Sequence, residues 1–296
     1  MGRLGLWVAI LAAGAAILGL WLTAPQGLPD ETVAGLSGDA GRGETVFWAA
    51  GCASCHAADD AEGAARLILT GGQAFPSDFG TFYAPNVSMH PEAGIGAWTF
   101  PQFADAVQRG VSPDGDHYYP AFPYTAYGLA EIQDIADLWA FWQTLPATDA
   151  ASRSHEVGFP FSIRRAVGAW KLLYAPDGFT LPQPDDPQIA RGRYLAEALG
   201  HCGECHTPRD ALGGLDRTRW LAGAPNPTGQ GRIPNVTPAA LTWSASEIAA
   251  YLNDGFTPDF DSAGGHMVAV IRNLANLSDA DRAAIAAYLK AVPPVE

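Results

Sequence analysis

The sequence predicts an all-α protein in which two tandem helical domains follow a single N-terminal transmembrane helix. Three observations support this prediction. Residues 4–24 form one long stretch without a charged side chain. Downstream, runs with apolar residues at helical spacing alternate with loops rich in glycine and proline. A set of short motifs also occurs twice in the same order, which indicates a duplicated domain.

The N-terminal stretch, LGLWVAILAAGAAILGLWLTA, is long enough to cross a membrane as a helix. Its 21 residues rise about 1.5 Å each and span roughly 30 Å, the thickness of a bilayer core. Trp7 and Trp21 lie near its two ends, where indole rings prefer the membrane interface.

A cleaved secretory peptide is the alternative interpretation of this stretch. The stretch is long for such a peptide, and a cut after Ala24 would leave Pro25 at the new N-terminus, which signal peptidases disfavour. We therefore expect residues 1–24 to form an uncleaved, single-pass anchor in the inner membrane. Arg3 on the cytoplasmic side would place the rest of the chain in the periplasm.

The charge balance of the chain excludes one class of partner. Its 296 residues include 31 acids against 17 bases, a net charge of −14. Such a surface would repel the phosphates of nucleic acid, so we expect no nucleic-acid binding. An acidic surface is compatible with a basic partner protein, or it serves solubility alone.

The four cysteines form two identical patterns, GCASCH and HCGECH, each a Cys-x-x-Cys-His motif. A structural zinc site needs four ligands close in space, yet the motifs lie about 150 residues apart. A thioredoxin-like site leaves the histidine unexplained, and disulfides do as well. Covalent haem explains every position, because two thiols add to the two vinyl groups of one porphyrin and the next histidine binds the iron.

The sequence therefore predicts two haem c groups. The covalent attachments would be Cys52, Cys55, Cys202 and Cys205, and the axial histidines would be His56 and His206.

The repeat extends far beyond the cysteines. The first motif is preceded by RGETVFWAAG and the second by RGRYLAEALG. Each motif is followed by PNV and then by a tryptophan with a hydroxyl residue after it. A glycine follows twelve residues after each of these tryptophans. The predicted organisation begins with an anchor at residues 1–24 and a linker at 25–36. The first domain covers 37–147 and the second covers 187–296, and residues 148–186 form the segment between them.

Several helix ends are readable from the sequence. Asp39 is expected to cap a helix that Gly51 ends, Ser278 to cap the last helix, and 129–145 to be helical. The long loops 57–84 and 207–233 lack alternating strand patterns.

The segment between the domains has an apolar middle, residues 163–174, which we expect to pack between them. Its bases Arg164, Arg165 and Lys171 have three open interpretations: contact with haem propionates, contact with lipid phosphates, or a solvated basic face.

Five stretches in combination give this sequence a resemblance to a known family. They are GCASCH, APNVSMHPEAGIGAWT, RGVSPDGDHYYPAFPY, RGRYLAEALGHCGECHTPR and GGHMVAVIRNLANLSDADRAAIAAYLKAVP. The sequence is similar to the multihaem cytochrome c subunits of membrane-bound periplasmic alcohol, aldehyde and sugar-acid dehydrogenases. The resemblance implies two tandem class I cytochrome c domains. Such subunits pass electrons from a catalytic subunit to membrane quinone or the respiratory chain. They commonly carry three haems, whereas this sequence has two motifs.

The resemblance also implies axial ligands. His56 and His206 would be proximal, and the distal ligand would come from a later loop. In the second domain that position is Met267, with His266 as its rival; Met1, Met89 and Met267 are the only methionines in the chain. The equivalent position in the first domain is Phe122, which cannot bind iron.

The sixth ligand of the first haem is therefore open. Met89, His90 and His117 are the candidates that could supply it, and Tyr118 or Tyr119 of the same loop could come near. The remaining alternative is an iron that binds water or nothing and is accessible to small molecules.

The functional prediction is a membrane-anchored, periplasmic dihaem cytochrome c that carries single electrons between redox partners, from a dehydrogenase to the respiratory chain. Its expected partners are a dehydrogenase subunit, a quinone-linked complex or a terminal oxidase, and the membrane through its N-terminal helix. The alternative is a haem enzyme with an open first haem that performs peroxidase-like or small-molecule redox chemistry. No acid–base pair, phosphate-binding loop or nucleophile motif is recognisable in the sequence.

Overall fold

The computed structural model describes residues 2–227 and 231–296 and is mostly helical. The helices are α1 Arg3–Leu22, α2 Asp30–Val33, α3 Ala40–Ala49, α4 Cys52–His56, α5 Phe100–Ala104, α6 Tyr124–Tyr127, α7 Ile132–Trp142, α8 Ala166–Tyr174, α9 Pro187–Arg193, α10 Gly203–His206, α11 Ala245–Asp254, α12 Met267–Leu274 and α13 Asp279–Ala291. Wider π-helical turns extend α5 and α9 over Asp105–Arg109 and Tyr194–Leu199. Short 3₁₀ turns cover Gly63–Leu67 and Arg217–Arg219.

Each half of the chain is closed by a crossing of its first and last helices, α3 with α7 and α9 with α13. A glycine lies at both crossings. A Cβ atom on Gly43 would lie 1.9 Å from the carbonyl oxygen of Asp137, and a Cβ atom on Gly192 would lie 1.9 Å from that of Ala284. The repeated Arg-Gly pair therefore has a steric role, because only glycine allows the two backbones to approach so closely.

The two domains, residues 37–147 and 187–296, are here called the first and second modules. A buried carboxylate reinforces the helix crossing in the first module. Asp137 accepts hydrogen bonds from Arg42 Nε at 2.6 Å and from the Asp39 amide at 2.8 Å. Burial by itself would raise the pKa of Asp137, but these hydrogen bonds outweigh it and hold the pKa below its usual value. The carboxylate therefore stays charged and ties the start of α3 to α7.

The helix caps expected from the sequence are confirmed. Asp39 and Ser278 accept hydrogen bonds from the first turns of α3 and α13. The repeated tryptophan–hydroxyl pair also has a structural role, because Thr99 and Ser244 form capping boxes with Gln102 and Glu247.

The structure differs from the sequence expectation in two loops. Within 57–84, strands β1 Ala74–Ser77 and β2 Gly80–Tyr83 form an antiparallel hairpin that also pairs with β3 Glu156–Val157. Within 207–233, β4 Ala224–Pro225 pairs with β5 Arg232–Ile233. These strands have only two to four residues each, too few to produce an alternating pattern.

The segment between the modules packs against both of them, as expected. Its helix α8 donates from Lys171 to the carbonyls of Arg109 and Gly110 in the first module. Trp170 Nε1 donates to the Leu212 carbonyl in the second module, at 2.9 Å. The segment is therefore a packed connection rather than a free tether.

Among the described residues, α1 is the one helix that is both long and apolar enough to cross a membrane. None of its residues is buried. Its C-terminal end meets the first module, where His117 Nε2 lies 3.0 Å from the Thr23 carbonyl oxygen and Arg165 donates to the Leu20 carbonyl.

The steric role of the crossing glycine is testable by Gly43→Ala. The new methyl group would overlap the backbone of α7, so the change should destabilise the first module by about 1–3 kcal/mol or more. Thermal unfolding followed by circular dichroism measures this loss. Gly41→Ala is the matched control, because Gly41 is exposed on the same helix and an alanine there favours the helix by roughly 0.5–1 kcal/mol. Equal stability of the two variants would contradict the steric account.

Candidate haem sites

The first Cys-x-x-Cys-His motif lies at one wall of a large cavity. Gly51 adopts a left-handed conformation with φ 68° and turns the chain between α3 and α4. Cys52, Cys55 and His56 then face a cavity of about 650 Å³. That volume falls within the roughly 300–1,000 Å³ of pockets that enclose a small molecule or cofactor.

The two motif histidines have the same second contact. His56 Nδ1 lies 3.0 Å from the Pro85 carbonyl oxygen, and His206 Nδ1 lies 2.8 Å from that of Pro234. Because a carbonyl only accepts, each Nδ1 carries the proton and each Nε2 keeps its lone pair. Burial lowers the pKa of both imidazoles, although these carbonyl contacts oppose it. The neutral form with a free Nε2 is the form that binds iron.

All four cysteines have free thiols. In residues 2–227 and 231–296, no group of three or more His, Cys, Asp or Glu side chains could hold a metal ion, so the zinc alternative has no ligand set there. A pocket of suitable volume, two free thiols and a histidine with an available Nε2 together fit a covalently attached haem at the first motif.

The walls of this cavity are mainly aromatic and aliphatic, with polar residues of the connecting segment among them. The lining includes Phe75, Phe82, Ile95, Trp98, Phe103, Val107, Phe122, Tyr127, Leu138 and Trp142. Tyr118 and Tyr119 also face the cavity. Phe122, the residue at the expected distal position, is thus part of the apolar wall.

The three candidate sixth ligands of the first site lie away from the described lining of the cavity. Met89 is partly buried, and its backbone carbonyl packs against Gly96. His90 Nδ1 accepts hydrogen bonds from the amides of Glu92 and Ala93. His117 is turned towards the end of α1. The identity of this ligand stays a prediction.

Sequence reasoning missed two histidines that do line the cavity, His155 and His201. His155 comes from the segment between the modules and accepts a hydrogen bond from the Tyr83 amide at 3.1 Å. His201 directly precedes the second motif, where the first motif has Gly51. Aligning the two motifs could have singled out His201, whereas only the fold brings His155 to the site.

His201 lies at the junction of the modules. Its ring centroid is 5.5 Å from that of Tyr127 in the first module. Its Nδ1 is buried and has no hydrogen-bond partner among the described residues. Burial lowers the pKa of this imidazole and favours its neutral form.

The second site shares the histidine–carbonyl contact of the first. Its Met267 is the first residue of α12 and is partly buried against the core, and the rival His266 occupies the cap position of that helix. Burial raises the pKa of the Cys202 thiol to about 12, and the neighbouring Cys205 thiol adds to the effect.

The two motifs adjoin across the interface between the modules. Burial raises the pKa of the Cys55 thiol to about 11, and Cys205 of the second motif is close enough to raise it further. Ser54, inside the first motif, accepts a hydrogen bond from the buried Asn273 of α12. The attachment segments are therefore part of the interface between the modules.

The sequence pattern of the cytochrome c family matches residues 40–146 and 189–293. The chain belongs to the cytochrome c family. A diheme cytochrome c-type protein of Cereibacter sphaeroides is 57% identical over 287 residues, which is 97% of this chain and 96% of the relative. Two family matches together with this relative show that the protein carries two haem c groups, and its function is electron transfer.

Other relatives are cytochrome subunits of dehydrogenases. The fructose dehydrogenase cytochrome subunit of Gluconobacter japonicus is 38% identical over 85% of this chain and 52% of its own length. The gluconate 2-dehydrogenase cytochrome c subunit of Pantoea cypripedii is 33% identical over 85% of this chain and 59% of its own length. The chain thus spans between half and three fifths of the length of these two subunits.

The covalent attachments are testable one module at a time. The protein with both Cys202→Ser and Cys205→Ser should lose one haem and keep the other, because each motif supplies its own thiols. Intact mass measures the loss, and haem staining of a denaturing gel shows that the remaining haem is covalent. The mirror-image variant, Cys52→Ser with Cys55→Ser, is the matched control. Retention of both haems in either variant would refute the assignment.

Proposed function

We propose that the protein is a membrane-anchored, periplasmic electron carrier that receives single electrons from a dehydrogenase and delivers them to the respiratory chain. The observation that carries the proposal is the contact between the two Cys-x-x-Cys-His motifs across the module interface. Biological electron transfer is favoured by short distances, so adjoining attachment sites suit passage along one chain. The dehydrogenase subunits among the relatives support a dehydrogenase as the donor.

In this proposal residues 1–24 form an inner-membrane anchor, and residues 37–147 and 187–296 form the two periplasmic domains. The exposed apolar surface of α1 supports an anchor, because it has no partner within the described chain. A quinone-linked complex or a terminal oxidase would then accept the electrons.

The side chains divide the work as follows. Cys52 and Cys55, and likewise the second pair, hold the cofactor covalently. His56 and His206 would bind the iron through Nε2, and the carbonyls of Pro85 and Pro234 fix the orientation of each ring. When bound, haem iron supplies one-electron chemistry by alternating between the ferric and ferrous states. The aromatic wall keeps the first site dry, which limits reorganisation of solvent.

The donor is testable by purification of the native protein from membranes in mild detergent. We expect a larger catalytic subunit to co-purify and its substrate to reduce both haems, as read from the visible spectrum. Alcohols, aldehydes and sugar acids are the substrate classes to screen. The same preparation from the variant with Cys202→Ser and Cys205→Ser is the control for transfer to the second site. The dehydrogenase partner would be contradicted if the protein purified alone and if none of the substrates reduced its haems in the membrane preparation.

A second function, small-molecule or peroxidase-like chemistry at an open first haem, is supported by one observation. Phe122 lines the first cavity at the distal position, while Met89, His90 and His117 do not belong to its described lining. An iron without a protein ligand on that side would be accessible to small molecules.

The two functions are distinguished by ligand spectroscopy. A methionine thioether on ferric haem gives a weak far-red band, so Met267→Ala should abolish that band and lower the potential of the second haem. Met89→Ala is the matched control and should leave the band intact. Rapid binding of carbon monoxide by the unaltered protein would favour the open site. Loss of a far-red band in Met89→Ala would instead identify Met89 as the sixth ligand of the first haem.

A further inference from the structure

The segment of residues 159–174, here called the interfacial segment, exposes large apolar side chains. Phe159 is 84% exposed, Leu173 70% and Leu172 59%. Phe161 and Ile163 are also exposed. Single exposed apolar residues are ordinary, but a contiguous group of this size marks a surface with a partner.

Within this segment, α8 has two different faces. Ala166, Ala169, Leu172 and Leu173 are exposed, and at 100° per residue they fall within an arc of roughly 120°. Val167 and Gly168 point the other way and are buried. The outward face of α8 is therefore entirely apolar, the reverse of a helix that simply covers a soluble core.

The position of the segment points to its partner. Gly168 packs so tightly on the last turn of α1 that a Cβ atom there would lie 2.2 Å from the Thr23 carbonyl oxygen. Arg165 donates to the carbonyl of Leu20, one residue before Trp21. Helix α8 thus lies beside the end of the helix that would leave the bilayer, and its outward face is not covered by that contact.

The charge of the segment agrees with this position. In a chain of net charge −14, Arg164, Arg165 and Lys171 gather next to α1. Each donates to backbone carbonyls, of His117, Leu20 and Gly110 among others, rather than to carboxylates. Exposed Arg109 joins them, and the nearby loop contributes Asp114 and Asp116. Four bases thus stand against Asp105, Asp114 and Asp116 in this region, whereas acids outnumber bases in the protein as a whole.

We propose that the interfacial segment is a second membrane contact, with the apolar face of α8 inserted into the boundary between headgroups and acyl chains. Arg109 and Arg165 would lie beside lipid phosphates, whereas Arg164 faces the first cavity and the Lys171 ammonium is held by backbone carbonyls. Amphipathic helices at this boundary are buried by roughly 5–10 Å. The inference rests on the proposed anchor, and its consequence is orientation: α1 and α8 together fix how the two haem modules face the membrane.

The test uses the full-length, haem-loaded protein in vesicles of phosphatidylcholine and phosphatidylglycerol. Because haem consumes the four native cysteines, a single introduced cysteine can be labelled with a nitroxide. Three variants are compared: Leu172→Cys in the segment, Ala12→Cys in the middle of α1, and Phe260→Cys as an exposed apolar control in the second module. Relative collision rates of the label with oxygen and with a water-soluble nickel complex report its depth. Intact mass with two haems verifies folding.

The label at position 172 should lie roughly 5–10 Å below the phosphates, while the label at position 260 stays in water. Leu173→Cys, on the same face, should give the same result as Leu172→Cys and guards against a local disturbance. A label that is aqueous at both 172 and 173 overturns the inference. If such labels are protected only in native membranes, the face covers a protein and the lipid contact is equally refuted. The label at position 12 tests the anchor separately, because an aqueous reading there refutes the anchor whatever position 172 shows.

Discussion

The close crossing of the first and last helix in each module is the constraint on which the rest of the structure depends. Gly43 and Gly192 let the helix backbones approach to a distance that no larger residue allows. The crossing fixes where α3 and α9 lie, and the chain segment that follows each of them carries its Cys-x-x-Cys-His motif. The motif histidine then meets the carbonyl of Pro85 or Pro234, which selects the tautomer with a free Nε2. The helix crossing therefore positions the segment that carries the motif histidine, and the carbonyl contact leaves the Nε2 of that histidine free.

The two modules pack against each other through a shared interface. Their interface includes the motif segments, since Ser54 bonds to Asn273 and His201 packs on Tyr127, and it also includes Tyr194 bonded to Asp134. The second module also contributes Leu199 and His201 to the wall of the first cavity. A buried, polar interface of this kind holds the relative orientation of two cofactors more firmly than apolar contact alone, because hydrogen bonds have directions. Fixed orientation is what repeated one-electron transfer within a chain requires.

The two modules differ at the position where the resemblance leads us to expect a distal ligand. Met267 begins a helix in the second module, whereas Phe122 belongs to the aromatic wall of the first. The segment between the modules adds a further asymmetry, since His155 and Arg164 line only the first cavity. The first site is consequently the one shaped by three parts of the chain: its own module, the connecting segment and the start of the second motif. The two sites thus have different surroundings, although the motif histidine is held by a proline carbonyl in both.

The sequence by itself determined the features that depend on short spacing and local composition. Local sequence is enough to recognise the two motifs, the apolar N-terminal stretch and the caps at Asp39 and Ser278. Comparison of the two halves shows the duplicated domain. The family match and the structure confirm the prediction of a mostly helical protein. The tertiary structure alone decided which distant side chains share a cavity. His155 and His201 line the first site, and His117 is turned to the end of α1, because packing of separate segments brings them there. Such contacts join residues about 50 to 150 positions apart, and no local pattern encodes a distance of that kind.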